Sequence, residues 1–363
     1  MAVQNFELLN TNTDVTTTRT LLHEAIPVTG AIVSGTYNEE NIKNYTHGQF
    51  QSVYDYPYLS SSANHIFDLA AGYDESSGMS GSGASNIQNA KKVNMYNQYA
   101  QVLLGYTGSA NNVEIFESDL SVADNDNQMT ECFFLNFSRL LTKDQIKIGS
   151  FSITLGVGKW ADPMNTRVTL TDASASSTGE GTANTNGGDY GVLYNSADDD
   201  GTAYGVVFYQ TGLAILSASI FTGSAAAGVS GQSQFYSASH GDFPYGYEYM
   251  SVTGALSGTA ISASCDAIRH RWYDLSFNNT TEINSTIYFC RAPYNKFNYS
   301  SNPTATSGSK LRVKSVASDT PRTYITTIGL YNASNELLAV AKLSEPLAKT
   351  PSNELTLRVR LDY

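Results

Sequence analysis

Apolar and polar positions alternate most cleanly at the C-terminal end of the chain. In LTLRVRLDY, Leu355, Leu357, Val359, Leu361 and Tyr363 share one side, and Thr356, Arg358, Arg360 and Asp362 share the other. This period of two predicts a half-buried antiparallel strand. Just upstream, two apolar runs, Tyr324 to Tyr331 and Leu337 to Leu343, flank a polar turn, Asn332-Ala333-Ser334-Asn335. The second run is broken only by Lys342, so the pattern predicts a β-hairpin with both sides largely buried. STIYFC and SKLRVKS read as further short strands. Residues 266–363 are therefore expected to form an antiparallel β region, with the hairpin and last strand as its scaffold core.

Upstream the pattern is more mixed. TRTLLHEAIPVTGAIVSGTY offers short apolar stretches punctuated by Pro27, Gly30 and Gly35, as strands and turns do. A helical period is clearest in NAKKVNMYNQYAQVLLG, where Val93, Tyr96, Tyr99, Val102 and Leu103 fall on one face and Gly105 ends the run, predicting a helix near 89–104. ECFFLNFSRLL reads as a buried strand or a short apolar helix, and Thr142-Lys143-Asp144-Gln145 fits a capping box. GSFSITLGVG reads as a strand. Between 161 and 265 the chain turns Gly- and Ser-rich, with a strand pair, AYGVVFY and LAILSASIF, joined at Gln210-Thr211-Gly212. The expected fold is mainly β, with β-sandwich-like antiparallel sheets and one or two short helices in the N-terminal part. Its regions are 1–160, mixed and β-rich; 161–265, a β subdomain with long loops; and 266–363.

Composition narrows the function classes. Only 15% of the 363 residues are charged, while Tyr (24) and Gly (29) are abundant. Average proteins carry about a quarter charged residues, so much of this surface must be Ser, Thr, Asn and Gly. The formal net charge is −12, which argues against a nucleic-acid partner, since phosphate binding needs clustered Lys and Arg. The short basic clusters Lys91-Lys92 and Arg269-His270-Arg271 read as solvated faces. Cys132, Cys265 and Cys290 form no CxxC and are expected to be buried reduced thiols. MAVQNFELLN lacks the regions of a signal peptide, and no apolar run is long enough to span a bilayer. A soluble protein made in the cytoplasm, with no membrane partner, is the expectation.

Catalytic chemistry leaves no recognisable spacing. His23, His47, His65, His240 and His270 are dispersed without HxH or HExxH. Asp198-Asp199-Asp200-Gly201 resembles a calcium loop, but that register puts Ser196 at position one and Val207 at position twelve, where a bidentate Glu is required. No phosphate-binding glycine loop and no GxSxG is present, and no carboxylate pair is nominated by spacing. No catalytic, cofactor-binding or metal-ligating residue is named, and the chain is read as non-enzymatic, without cofactor. A glycan-binding or glycan-cleaving protein stays open. It would need an aromatic-lined cleft, with Trp160 or Trp272 stacking on sugar rather than packing in a core.

NYTHGQFQSVYDYPYLSSSANHIFDL, NKFNYSSNP and YITTIGLYNASNELLAVAKLSEPLAKTPSNELTLRVRLDY resemble virion structural proteins of large contractile-tailed phages, especially those infecting marine cyanobacteria. The resemblance runs along most of the chain. ITTIGLYNASNELLAVAKLS is also similar to an xxIGLYDxxGxLIAVxK hairpin of phage tail-fibre and tail-peripheral proteins, with Asn332 and Asn335 where that pattern has Asp and Gly. The resemblance implies a virion component assembled in the host cytoplasm, whose partners are other virion structural proteins and further copies of itself. Tail, baseplate or neck is the expected place, with a head decoration or vertex protein as the alternative. In such a protein the loops 74–84 and 172–188 would order against neighbours, and Tyr324, Tyr331, Arg358 and Arg360 are the candidate interface residues.

Overall fold

The computed structural model describes residues 6–31, 39–79, 86–106, 113–118, 127–158, 163–173, 183–184, 186–196, 203–221, 235–236, 249–250, 256, 260–300, 306–307, 310–311 and 322–363. Strands in the first half are β1 Val15–Pro27, β2 Ile42–Asn44, β3 Gln51–Tyr54, β4 His65–Tyr73, β5 Glu131–Phe137, β6 Gln145–Ile146, β7 Ser152–Gly156 and β8 Arg167–Thr171. They continue as β9 Ala183–Asn184, β10 Gly188–Asn195, β11 Ala203–Phe208, β12 Leu213–Ser217, β13 Phe235–Tyr236 and β14 Tyr249–Met250. The last are β15 Trp272–Ala292, β16 Thr306–Ser307, β17 Lys310–Leu311, β18 Thr323–Tyr331, β19 Leu337–Lys349 and β20 Leu355–Asp362. Helices are α1 Val28–Ala31, α2 Ile87–Leu103, α3 Arg139–Thr142 and α4 Ile261–Arg269. The fold is mainly β, built of antiparallel sheets, as the alternation predicts.

The chain divides into two compact units: residues 1–21 with 282–363, and residues 22–281. These are not the consecutive blocks 1–160, 161–265 and 266–363. Two long strands, β1 and β15, each run through the boundary, so no loop or change in composition marks it.

In the 22–281 unit, one antiparallel path runs β15-β7-β8-β10-β11-β12-β5-β4-β3-β2. The path curls back on itself. Phe67 of β4 stacks on Trp272 of β15, ring centroids 5.1 Å apart, although six strands separate them in the order. Phe137 and Phe277 meet at the same distance. This closure gives the sandwich-like core. Alternation along β4 and β5 supplies two apolar layers. Phe67, Leu69, Phe133 and Leu135 join Ile153, Leu170, Ile268 and Trp272 on one side. On the other, Ala70, Cys132 and Phe134 pack beneath Tyr96, Ala100 and Leu103 of α2.

Helix α2 starts at Asn86, whose side chain accepts from the Gln88 N–H, and it stops at Gly105, φ +99°. Its buried face is turned from the expected one. Lys92, Met95, Tyr96, Ala100 and Leu103 point inward, whereas Val102 is exposed. Close approach explains this: a Cβ on Gly72 of β4 would lie 2.7 Å from the Lys92 carbonyl oxygen. The capping box at Thr142 is not formed. Thr142 is the last residue of α3, and Lys143 follows in the left-handed region, φ 57°, so ECFFLNFSRLL is a strand followed by one helical turn.

The two basic clusters are not solvated faces. Arg269 is fully buried and donates to Asp266, which also accepts from Gln51 at 2.7 Å. Buried Arg271 donates to the carbonyls of Gly156 and Gly158 at 2.9 and 3.0 Å, and burial lowers its pKa to about 10. Lys92 is buried and donates to the Leu256 carbonyl, its pKa lowered to about 8 by loss of hydration. Each charge is tolerated inside because an oxygen faces it. Cys132 and Cys265 are buried and free, as expected, whereas Cys290 is only half-buried.

In the other unit, the second half of β15 pairs with β20 over Ser285↔Asp362 to Ala292↔Leu355. The predicted alternation of β20 is present: Val359 is buried, Leu355, Leu357 and Leu361 are half-buried, and Thr356, Arg358, Arg360 and Asp362 are exposed. Tyr363, expected on the apolar side, is exposed. β18 and β19 form the predicted hairpin, paired from Thr323↔Lys349 to Tyr331↔Leu337. The large apolar core lies in the 22–281 unit and takes nothing from the hairpin or β20, contrary to their expected role as scaffold core.

Candidate functional site

The hairpin is tied to its unit at the base, closed by an ordered turn at the tip, and partly exposed between them. At the tip, Asn332 organises the turn. Its side-chain oxygen accepts from the Ser334 and Glu336 N–H groups at 2.9 and 2.8 Å, and Asn335 takes φ 63°. At the base, the fully buried Lys349 ammonium donates to the Asn298 side chain (2.8 Å) and to the carbonyls of Thr350 (2.9 Å) and Tyr294 (3.3 Å). Beside it the Thr323 hydroxyl donates to the Phe297 carbonyl at 2.9 Å. Three oxygens around one ammonium fix where the hairpin leaves its unit.

Between these anchors the strands are rich in Ile, Leu, Val and Tyr, yet they are not buried. Ile325, Ile328, Leu330, Ala339, Ala341 and Leu343 are half-buried. Around them Tyr324 is 60% exposed, Leu338 69% and Val340 51%. The expectation that both sides are largely buried is therefore corrected. Pairing of the two strands accounts for the apolar alternation, but among the described residues no third strand joins them. Gly329 sits opposite Val340, and a Cβ there would meet the Tyr331 ring at 2.8 Å and Leu337 at 3.2 Å. The glycine thus makes room for a continuous apolar surface. A lone two-stranded hairpin is marginal in water, and contiguous exposed apolar surface marks an interaction site.

The four candidate interface residues separate into two groups. Tyr324 and Tyr331 stand on the hairpin, Tyr331 with its ring edge-on to Phe6 at 5.0 Å. Arg358 and Arg360 lie on β20, where Arg360 is tied to Asp362 (2.7 Å) and Ser285 (2.9 Å). Hydrogen bonds from Ser285, then Arg360, hold the Asp362 carboxyl below its ordinary pKa. Sequence reading missed Leu337, Leu338 and Val340 as surface residues. The apolar run that contains them predicts burial, and the structure leaves them exposed instead.

Elsewhere, Ser52, His65 and Asp68 come together without a chemical relay. The Ser52 hydroxyl and His65 Nε2 both reach the same Asp68 oxygen, the latter at 2.8 Å, so the imidazole does not stand between serine and carboxylate. Ser52 is buried, and the cluster links β3 to β4. Buried Trp272, stacked on Phe67, is core and presents no face to a sugar. Trp160, Asp198 to Gly201 and His240 lie outside the described residues, as do 80–84 and most of 174–185 in the two loops. Among the described residues no three His, Cys, Asp or Glu side chains gather as a metal-holding group, and no helix is long and apolar enough to cross a membrane. No protein-family model, no curated protein and no solved structure matches the chain.

Proposed function

We propose that this chain is a non-enzymatic structural subunit that works by burying its hairpin surface in a symmetric assembly of copies and neighbours. The observation that carries the reading is the hairpin itself: tied to its unit at the base by Lys349, closed at the tip by the Asn332 turn, apolar along its length and exposed between the two. Such a surface contributes free energy only when a partner removes it from water. Exposed Tyr324 and Tyr331 suit this role, giving rigid contact area with a polar tip. The resemblance of the hairpin and of the 44–69 segment to virion proteins of contractile-tailed phages supplies the setting, a virion, at the tail, baseplate or neck. Its partners there are other structural proteins, not nucleic acid or membrane.

Gold-labelled antibody against the chain, viewed on virions by electron microscopy, tests the setting. Label at the distal tail or collar is the expected result. Label over the head would replace the tail placement with a capsid-associated one, and absence of label together with absence of the chain from disrupted particles would remove the virion reading altogether.

A further inference from the structure

One carboxylate of the 22–281 unit uses only one of its two oxygens. Asp68 of β4 is paired across the strands with Ser52 of β3. Two hydrogen bonds reach it, from the Ser52 hydroxyl and from His65 Nε2 at 2.8 Å, and both end on Oδ1. Oδ2 accepts none among the described residues, and it is not enclosed, since the Asp68 side chain is 24% exposed. His65 is in the same position. With Nε2 donating to the carboxylate, Nδ1 has no partner among the described residues, and the side chain is 33% exposed. Rings surround the pair. Tyr54, opposite His65 in the strand pairing, meets the imidazole edge-on at 5.6 Å, and Tyr58, 37% exposed, lies 6.4 Å from Tyr54. Tyr45 adds a third ring, its hydroxyl 3.2 Å from Ser52 Oγ and Lys43 Nζ over its face at 4.8 Å.

We propose that this cluster binds a neutral saccharide: sugar hydroxyls bond Asp68 Oδ2 and His65 Nδ1, and the C–H face of the sugar ring lies on Tyr58. The site belongs to the 22–281 unit and is independent of the hairpin. The open atoms choose the class of ligand. A hydroxyl both donates and accepts, so it suits a carboxylate oxygen and also either protonation state of an imidazole nitrogen. Neighbouring hydroxyls of one sugar can take both atoms, while the Tyr ring offers an apolar face with a polar tip. Other ligands fit less well. An arginine fork needs both carboxylate oxygens, and Oδ1 already holds two donors. A phosphate or an acidic sugar would be set against the Asp68 charge. A metal ion would find two ligands, because no three His, Cys, Asp or Glu side chains gather among the described residues. A purely apolar partner would strip water from a carboxylate oxygen without replacing it.

The labelled full chain, applied to an array of immobilised neutral and acidic oligosaccharides, tests this, followed by calorimetry with the free sugar that is retained. Retention on neutral glycans in preference to acidic ones is the expected result. Asp68→Asn keeps an acceptor for Ser52 and loses the charge; it should weaken binding about tenfold or more, as loss of a charged hydrogen bond does. Tyr58→Ala removes a partly exposed loop ring, and should weaken binding to a similar degree while leaving the melting temperature unchanged. That second variant keeps the test decisive if Asp68→Asn disturbs the fold. Absence of retention on every neutral glycan would overturn the proposal, and so would a preference for acidic glycans. Binding that survives both substitutions would place the sugar elsewhere and overturn it too. An arginine-rich peptide run alongside covers the rival. If the peptide binds in place of sugar and is lost with Asp68→Asn, the carboxylate is a protein contact and the saccharide site is refuted.

Discussion

Leucine to serine is one chemical change with opposite consequences at two positions of this chain. Leu338 on the hairpin is 69% exposed, whereas Leu216 in β12 is fully buried in the sandwich core. Full burial of a leucine side chain is worth about 1.5–3 kcal/mol relative to leaving it in water. Roughly two thirds of that remains unrealised at Leu338 in the separate chain, about 1–2 kcal/mol, and becomes available only when a partner covers it. Leu338→Ser should therefore change folding stability by no more than about 0.5 kcal/mol, as surface substitutions do. It should weaken association about 5- to 30-fold. Leu216→Ser removes packing on all sides and leaves a hydroxyl in an apolar layer, so folding should lose at least the roughly 2–5 kcal/mol of a Leu→Ala cavity. Thermal unfolding at a concentration below that of association, paired with sedimentation velocity across concentration, measures both quantities for both variants. If Leu338→Ser unfolds the protein as readily as Leu216→Ser, the hairpin is covered in the single chain and the reasoning fails. If it alters neither stability nor association, the hairpin is exposed but is not an interface.

Three further outcomes follow from the interior. Asp172 is fully buried and accepts from the Gly149 and Phe151 N–H groups and the Tyr209 hydroxyl, each at 2.8 Å; Tyr209→Phe should cost about 1.5–3 kcal/mol in urea unfolding, and a loss under about 0.5 kcal/mol would show that the carboxyl does not need its third donor. Gly72→Ala would place a Cβ 2.7 Å from a backbone oxygen of α2 and should cost about 1–3 kcal/mol, while Gly78→Ala, with nothing within 4 Å, should be nearly neutral; equal urea midpoints for the two would contradict the close helix–strand approach. Lys92 has its pKa lowered from 10.5 to about 8 by burial, so the folded state binds fewer protons than the unfolded one between those values. Stability contributed by this residue should rise with pH across that window, by about 3 kcal/mol at most. Lys92→Met should lack that rise, and an unchanged pH profile would place the ammonium in water.

Local pattern alone determined a good part of this protein. The alternation of β20, the pairing of β18 with β19, the Asn332 turn and the span of α2 all depend on neighbours within a few residues. Spacing along the chain reports such relations directly. Helix α4 is less legible, because ISASCDAIR is short and runs into the basic cluster at Arg269, whose identity predicts a solvated face. Burial was the quantity that tertiary structure decided. Period shows which side chains share a face, but whether that face is covered depends on segments arriving from elsewhere. Arg269 and Arg271 are polar by identity and interior because Asp266, Gly156 and Gly158 bring oxygens to them. Leu338 and Val340 are apolar by identity and exterior because no described segment lies over them. The division within β1 and β15 likewise has no mark in local pattern. It exists only because distant parts of the chain, 1–21 and 282–363, pack as one body.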